Sequence, residues 1–290
     1  MQGFEKNGEI IMTPQCKEKL HKLKEILKRT GGCAVAFSGG VDSSLLLAVA
    51  REILGDRCLA VIATSSTYPE RECNQAIEWV KTHGFQYVII NSEELDIPEF
   101  SANPKDRCYY CKHELFSRVR EQALTHGLQW IADGSNADDA VDFRPGLKAA
   151  RESGVLSPLM EAGLTKDDIR TIAREVYHLP MADKPSMACL ASRFPYGSPI
   201  TRNKLNQVEK IEAFLEHEGF HVYRARHHDD ILRLELGQEE MSAILNDNIR
   251  KKITKFVKDQ GFIYVTLDLE GYRTGSMNEA LVIDGKTETL

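Results

Sequence analysis

The stretch CAVAFSGGVDSSLLLAVAREIL, residues 33–54, runs from an apolar segment through two adjacent glycines into a helical one. Residues 33–37 have the continuous apolar character of a strand buried on both faces, and residues 44–54 carry apolar side chains at helical density. Between them, Gly39 and Gly40 let backbone N–H groups converge on an anion, and the helix that follows adds its positive N-terminal end. The segment therefore reads as a phosphate cradle. It is not the common nucleotide loop ending in Gly-Lys-Ser/Thr, because Val41-Asp42-Ser43 stands where the lysine would be.

Working outward, Thr13 followed by Pro14 predicts a helix start, and the leucines and isoleucine of residues 20–27 fall at helical spacing. Strands are expected at 58–63, 87–90 and 130–132, and helices at 69–83, 112–126 and from the Thr165/Asp168 cap to residue 176. This alternation predicts an α/β fold built on a doubly wound parallel sheet, in which the segments after Phe37, Ala63 and Ala132 share one pocket. Residues 179–199 read as a connecting loop, giving a first domain over 1–197, a smaller α+β domain over 198–277 and a tail over 278–290. In the second domain a helix is expected at 202–218, strands at 221–226 and 231–236, a helix at 238–258 and a strand at 263–269.

The chain has 290 residues, 42% hydrophobic and 28% charged, an ordinary globular composition with room for two units. Its start mixes Glu5, Lys6 and Glu9 into a short apolar run, which fits neither a secretory signal nor a membrane span, so a cytoplasmic protein is expected. Seven cysteines in such a chain are read as reduced, and any that cluster as metal ligands or reactive thiols. A net charge of −6 and a pI near 5.9 offer no basic field for a long polyanion, so no nucleic-acid partner is expected.

Ser38-Gly39-Gly40-x-Asp42-Ser43 resembles the pyrophosphatase loop (PP-loop) of enzymes that split ATP between its α and β phosphates. The resemblance implies that Ser38, Gly39, Gly40 and Ser43 hold the leaving pyrophosphate while Asp42 helps to position Mg²⁺, a cation suited to oxygen ligands. A second glycine turn loaded with acids, Asp133-Gly134-Ser135-Asn136-Ala137-Asp138-Asp139, follows the strand at 130–132. If that strand lies beside the one feeding the first loop, Gly134 borders the phosphates and Asp138, or next Asp139, shares Mg²⁺ with Asp42. Residues 64–72 are expected to border the adenosine.

Cys108 and Cys111 have ligand spacing, and Cys189, in the loop Lys184-Pro-Ser-Met-Ala-Cys-Leu-Ala-Ser-Arg193, is the third candidate. Three thiolates holding a [4Fe-4S] cluster would leave one iron open to an exogenous sulfide. Zinc with His113, a Cys108–Cys111 disulfide and inert thiols are the alternatives, whereas Cys16, Cys33, Cys58 and Cys73 read as filling. Arg224 and Arg226 alternate on one strand face and, with Arg193, suit a substrate phosphate or carboxylate. His227 and His228 before Asp229 and Asp230 read as an exposed turn.

With these features in this order, and with Cys189-Leu-Ala-Ser-Arg-Phe-Pro-Tyr-Gly197 as the most specific besides the first loop, residues 15–275 resemble the LarE family of ATP-dependent sulfur transferases of nickel-pincer nucleotide biosynthesis. The resemblance implies ATP as co-substrate and transfer of AMP to a carboxylate of a pyridinium mononucleotide, followed by sulfur attack to give a thiocarboxylate. It implies a sulfide source, with Cys189, Asp42 and Arg193 catalytic, Cys189 being cluster ligand or sulfur donor. A homo-oligomer is expected. A tRNA thiolase, an ammonia-dependent synthetase and an iron-sulfur sensor are the rival readings.

Overall fold

The structure, a computed structural model, describes residues 12–141, 145–185, 188–273 and 275–279; most of the start at 1–12 and of the tail at 278–290 lies outside the described residues. In chain order the elements are Pro14–Thr30 (α1), Cys33–Ala36 (β1), Val41–Leu54 (α2), Cys58–Thr64 (β2), Glu70–Thr82 (α3), Gln86–Asn91 (β3), Pro98–Ser101 (α4), Arg107–Thr125 (α5) and Trp130–Ala132 (β4). Then follow Pro145–Glu152 (α6), Pro158–Glu161 (α7), Lys166–Glu175 (α8), Arg202–His217 (α9), Tyr223–His228 (β5), Ile231–Leu236 (β6), Asp247–Asp259 (α10) and Tyr264–Leu267 (β7). They fall into two compact units, Met1–Glu94 with Cys108–Met187, and Leu95–Arg107 with Ala188–Leu290. Cys189 and Arg193 thus belong to the second unit, whereas the sequence reading put them before a boundary near residue 198.

The first unit is built on the expected parallel sheet, in the order β3-β2-β1-β4. Its strands are short and apolar, and Cys33, Ala34 and Val35 of β1 are fully buried because helices cover both faces. Helix α1 forms as its start signal requires: Thr13 Oγ1 accepts the Cys16 N–H at 3.1 Å, and Leu20, Leu23, Ile26 and Leu27 turn one stripe to the core. The chain steps outward from β1 to β2 to β3 and then returns to the far side of β1 as β4. That reversal makes the gap between β1 and β4 the switch point, where open α/β sheets bind ligands.

Helix α5 begins at Arg107, five residues before the expected start, so Cys108 and Cys111 lie within its first five residues, and at a spacing of three they share a face. Among the described residues no helix is long and apolar enough to cross a membrane.

The second unit has a three-stranded sheet, β5-β6-β7, with β5 and β6 antiparallel and β6 and β7 parallel. The expected helix over 238–258 divides into a 3₁₀ turn, Met241–Leu245, and α10, because Asn246 leaves the helical region and its side chain accepts the N–H groups of Asn248 and Ile249. The exposed turn expected at His227 and His228 is corrected: both are the last residues of β5, and only Asp229 and Asp230 make the hairpin.

His227 is buried between Phe194 and Phe262, with ring centroids 5.2 and 4.9 Å away, and its Nδ1 accepts the Asp229 N–H at 3.2 Å. Burial, helped by Lys204, pushes its pKa down from 6.5 to about 4. The unfolded chain therefore takes up this proton first, so the stability from a neutral His227 is full above about pH 6.5 and lost as the pH falls towards 4. We expect wild type to lose about 2 kcal/mol more than His227→Phe between pH 7 and pH 4, read from urea midpoints at each pH.

Candidate active site

The loop after β1 is a tight polar knot. Gly39 adopts a left-handed φ of 75° and a Cβ there would meet the Ala76 side chain at 2.9 Å, so only glycine brings this backbone so close to α3. Ser43 Oγ donates to the Gly40 carbonyl at 3.1 Å and lies 3.1 Å from Ser38 Oγ, and it accepts the Ser38 N–H at 3.3 Å. The two hydroxyls and the free N–H ends of α2 make the surroundings an anion needs.

The turn after β4 closes on this loop. A Cβ on Gly134 would stand 3.0 Å from the Ser43 nitrogen and 3.3 Å from Asp42 Cβ, so a glycine here lets two backbones touch at the switch point. Asn136 Nδ2 donates to Asp42 Oδ1 at 3.3 Å, and the Lys166 ammonium forms an ion pair with the other Asp42 oxygen. Asp138 Oδ2 accepts the Lys166 backbone N–H at 2.8 Å, whereas Asp139 is turned inward and caps the Asn136 N–H at 2.9 Å. Asp133, also buried, takes the hydroxyls of Ser135 and Ser157 at 2.7 and 2.8 Å. Asp42 and Asp138 are thus both tied to Lys166, while Asp139 serves its own turn.

Lys166 and Asn136 escaped the sequence reading. A sequence signal existed for the lysine: it is the first residue of α8, directly after the Thr165 cap, where the helix dipole disfavours a cation. Its ammonium pairs with Asp42, and its backbone N–H donates to Asp138, so one residue links two carboxylates, the hard oxygen donors that suit Mg²⁺.

At the C-terminal end of β3, Cys111 Sγ donates to Glu94 Oε1 at 3.5 Å. Glu94 is buried, which raises its carboxyl pKa despite a hydrogen bond from Ser65 in the loop after β2. Cys108 is exposed, and Cys111 and Cys189 are half-buried; Cys189 precedes a 3₁₀ turn, Leu190–Arg193, in the second unit. The thiols divide in character. Burial raises Cys16 to about 11 and Cys33 to about 12, and lifts Cys58 further, so these core thiols stay protonated and inert. The three cysteines singled out for sulfur chemistry are all within reach of solvent, which fits thiolate ligation, but so is Cys73 of α3, half-buried rather than core filling. Among the described residues no group of three or more His, Cys, Asp or Glu converges on a metal position.

Arg193 is fully buried. Its Nε and Nη2 donate to Glu212 of α9 at 2.8 and 2.7 Å, and its Nη1 donates to the carbonyls of Ala188 and Cys189 at 2.9 and 3.2 Å. Burial works against its charge, but Glu212 outweighs it and raises the guanidinium pKa. Arg224 and Arg226 share a sheet face as expected. Arg226 donates to Glu235 at 2.6 Å, to Ser276 Oγ at 2.9 Å and to the Ser192 carbonyl at 3.0 Å. Arg224 lies over the Tyr272 ring, and burial with the nearby Arg193 lowers its pKa.

Comparison with known proteins adds a second line. A family model described as NAD synthase matches residues 16–127. The chain is 36% identical over 258 residues to pyridinium-3,5-bisthiocarboxylic acid mononucleotide synthase of Lactiplantibacillus plantarum, covering 88% of this chain and 92% of that one. It is 37% identical over 265 residues to the uncharacterized Synechocystis protein slr1717, covering 91% and 98%. A glutamine-hydrolyzing GMP synthase component of Archaeoglobus fulgidus is 27% identical over 68% of each chain.

Proposed function

Because the chain belongs to the LarE family, within the PP-loop ATP pyrophosphatases, we propose that it is the ATP-dependent enzyme that converts carboxylates of a pyridinium mononucleotide to thiocarboxylates. The observation that carries this reading is the joining of the Ser38–Ser43 loop to the Gly134 turn through Asn136, Asp42 and Lys166 at the switch point. A carboxylate is a poor electrophile because oxide is a poor leaving group. Transfer of AMP to it forms an acyl phosphate ester with release of pyrophosphate, and AMP is then a good leaving group for an incoming sulfur nucleophile.

In this scheme the Ser38 and Ser43 hydroxyls and the Gly39 and Gly40 backbone hold the β and γ phosphates. Asp42 and Asp138 would hold Mg²⁺, which supplies charge neutralisation on the departing pyrophosphate. Lys166, paired with Asp42 beside this loop, would supply a further positive charge to the phosphates. Arg224 and Arg226 orient the anionic groups of the mononucleotide. Arg193 fixes the Cys189 backbone through its carbonyl.

Cys108, Cys111 and Cys189 would hold a [4Fe-4S] cluster, which supplies an open iron site for sulfide. That all three are within reach of solvent, unlike the protonated core thiols Cys16, Cys33 and Cys58, supports that assignment. A sulfide source outside the chain then allows repeated turnover, two rounds serving the two carboxylates.

Anaerobically purified protein should bind about four irons per chain and form AMP from ATP only when the pyridinium dicarboxylate mononucleotide is present. Absence of AMP with that acceptor would refute the enzyme assignment. An iron-free sample that still turns over repeatedly, or one that ends each reaction with dehydroalanine at position 189, would refute the cluster.

A further inference from the structure

We propose that Glu94 is a positioning residue that ties Cys111 to the nucleotide side of the sheet. The proposal rests on the reading of Cys111 as a sulfur-handling thiol. Glu94 opens the 3₁₀ turn after β3 and is 2% exposed, an unusual place for a carboxyl that pairs with no lysine or arginine in any ion pair among the described residues. Its two described side-chain partners come from different elements. One is the hydroxyl of Ser65, in the loop after β2, which also lies 2.8 Å from Thr67 Oγ1. The other is Cys111 Sγ near the start of α5, at 3.5 Å.

A second contact one turn further along α5 makes the arrangement a two-point dock. The Ser92 hydroxyl, fully buried at the end of β3, donates to Glu114, and Glu114 also accepts from Arg118 Nε at 3.1 Å. The Ser92 N–H in turn donates to the Thr64 carbonyl at 2.9 Å. The start of α5 is thus tied to the ends of β2 and β3 by polar contacts, beside the apolar packing of Leu115 and Phe116 on the sheet. Polar contacts fix direction, which packing alone does not. Ser92–Glu114 sets the height of the helix, and Ser65–Glu94–Cys111 aims the thiol. Cys108, three residues earlier, is exposed where Cys111 is half-buried against Glu94.

The test uses full-length, iron-free protein under anaerobic conditions. A short iodoacetamide pulse is followed by peptide mass spectrometry, and the readout is labelling of Cys111 relative to Cys108. The internal ratio cancels differences in reagent and in global stability. Glu94→Ala is expected to raise the ratio about threefold or more, the scale of one lost hydrogen bond. Glu94→Gln, whose carboxamide oxygen still accepts the S–H, should stay within about twofold of wild type. Ser65→Ala, too small a change to unfold the unit, should shift the ratio in the same direction by a smaller factor.

An unchanged ratio in Glu94→Ala, an equal shift in Glu94→Gln, or no shift in Ser65→Ala overturns the proposal. Because no iron is present in this assay, a wild-type chain that takes up no iron on reconstitution refutes the cluster assignment and leaves the Glu94 result standing.

Discussion

Asp42→Asn is expected to lower AMP formation by about 10²- to 10⁴-fold while leaving ATP binding within about tenfold of wild type. Asp42 is where the loop after β1 meets the turn after β4: Asn136 donates to one of its oxygens and Lys166 to the other. On the proposed scheme, losing the carboxylate removes a metal ligand and frees the lysine, but it leaves the Ser38 and Ser43 hydroxyls and the α2 N-terminus proposed to hold phosphate. Binding therefore survives where transition-state stabilisation fails. Lys166→Met should cost about 10- to 100-fold, and the double variant little more than Asp42→Asn alone, because the two side chains act on the same charge. Initial rates of AMP release with the mononucleotide acceptor, and ATP titrations in parallel, separate these effects. An Asp42→Asn enzyme that makes AMP at the wild-type rate would remove the basis of the functional assignment. Stability should move by about 1 kcal/mol, because Lys166 keeps partial access to solvent and is hydrated when its partner charge is lost.

What the sequence made legible follows from the range over which each signal acts. The phosphate loop is local: a strand, two glycines and a helix start are written in neighbouring residues, and the structure builds them in that order. The parallel sheet is also legible, because fully buried strands read as short apolar runs such as residues 58–63. The start of α5 was not. Arg107, Cys108, Tyr109 and Tyr110 have no local helix signal, and the turn is held by Glu94 and Ser92, residues from a strand end more than a dozen positions away. The hairpin was misplaced for a related reason. Two histidines before two aspartates look solvated, but Phe194 and Phe262 come from remote segments to cover His227. The sequence reading ranked Asp138 ahead of Asp139 with no contact to decide it, and the fold distinguishes them: Asp138 accepts from Lys166, whereas Asp139 caps the Asn136 N–H.

Arg193 illustrates the same limit with a larger energetic consequence. In sequence it is an arginine in a loop beside a cysteine, suited to gripping a substrate anion. In the fold it is fully buried, and Glu212, nineteen positions away, takes two of its nitrogens. Glu212 also accepts the Ala225 N–H at 3.0 Å, so one carboxylate ties the Cys189 loop, α9 and β5 together. Glu212→Gln leaves the guanidinium buried without a counter-charge, and we expect a loss of about 3–5 kcal/mol. On the scale of a domain of about 100 residues, that is a fall of more than about 10 °C in the melting temperature of the second unit. The double change Arg193→Met with Glu212→Leu removes both charges and should recover most of the loss, because a buried ion pair adds little beyond what well-packed apolar groups of similar volume provide. Thermal melts of the two variants read the structural load directly. Substrate titration of the double variant then separates the two roles of Arg193. If affinity for the mononucleotide is retained, the arginine serves the fold by holding the Cys189 loop. A refolded double variant that has lost substrate affinity assigns the guanidinium to the substrate as well, with Glu212 as the residue that keeps it charged.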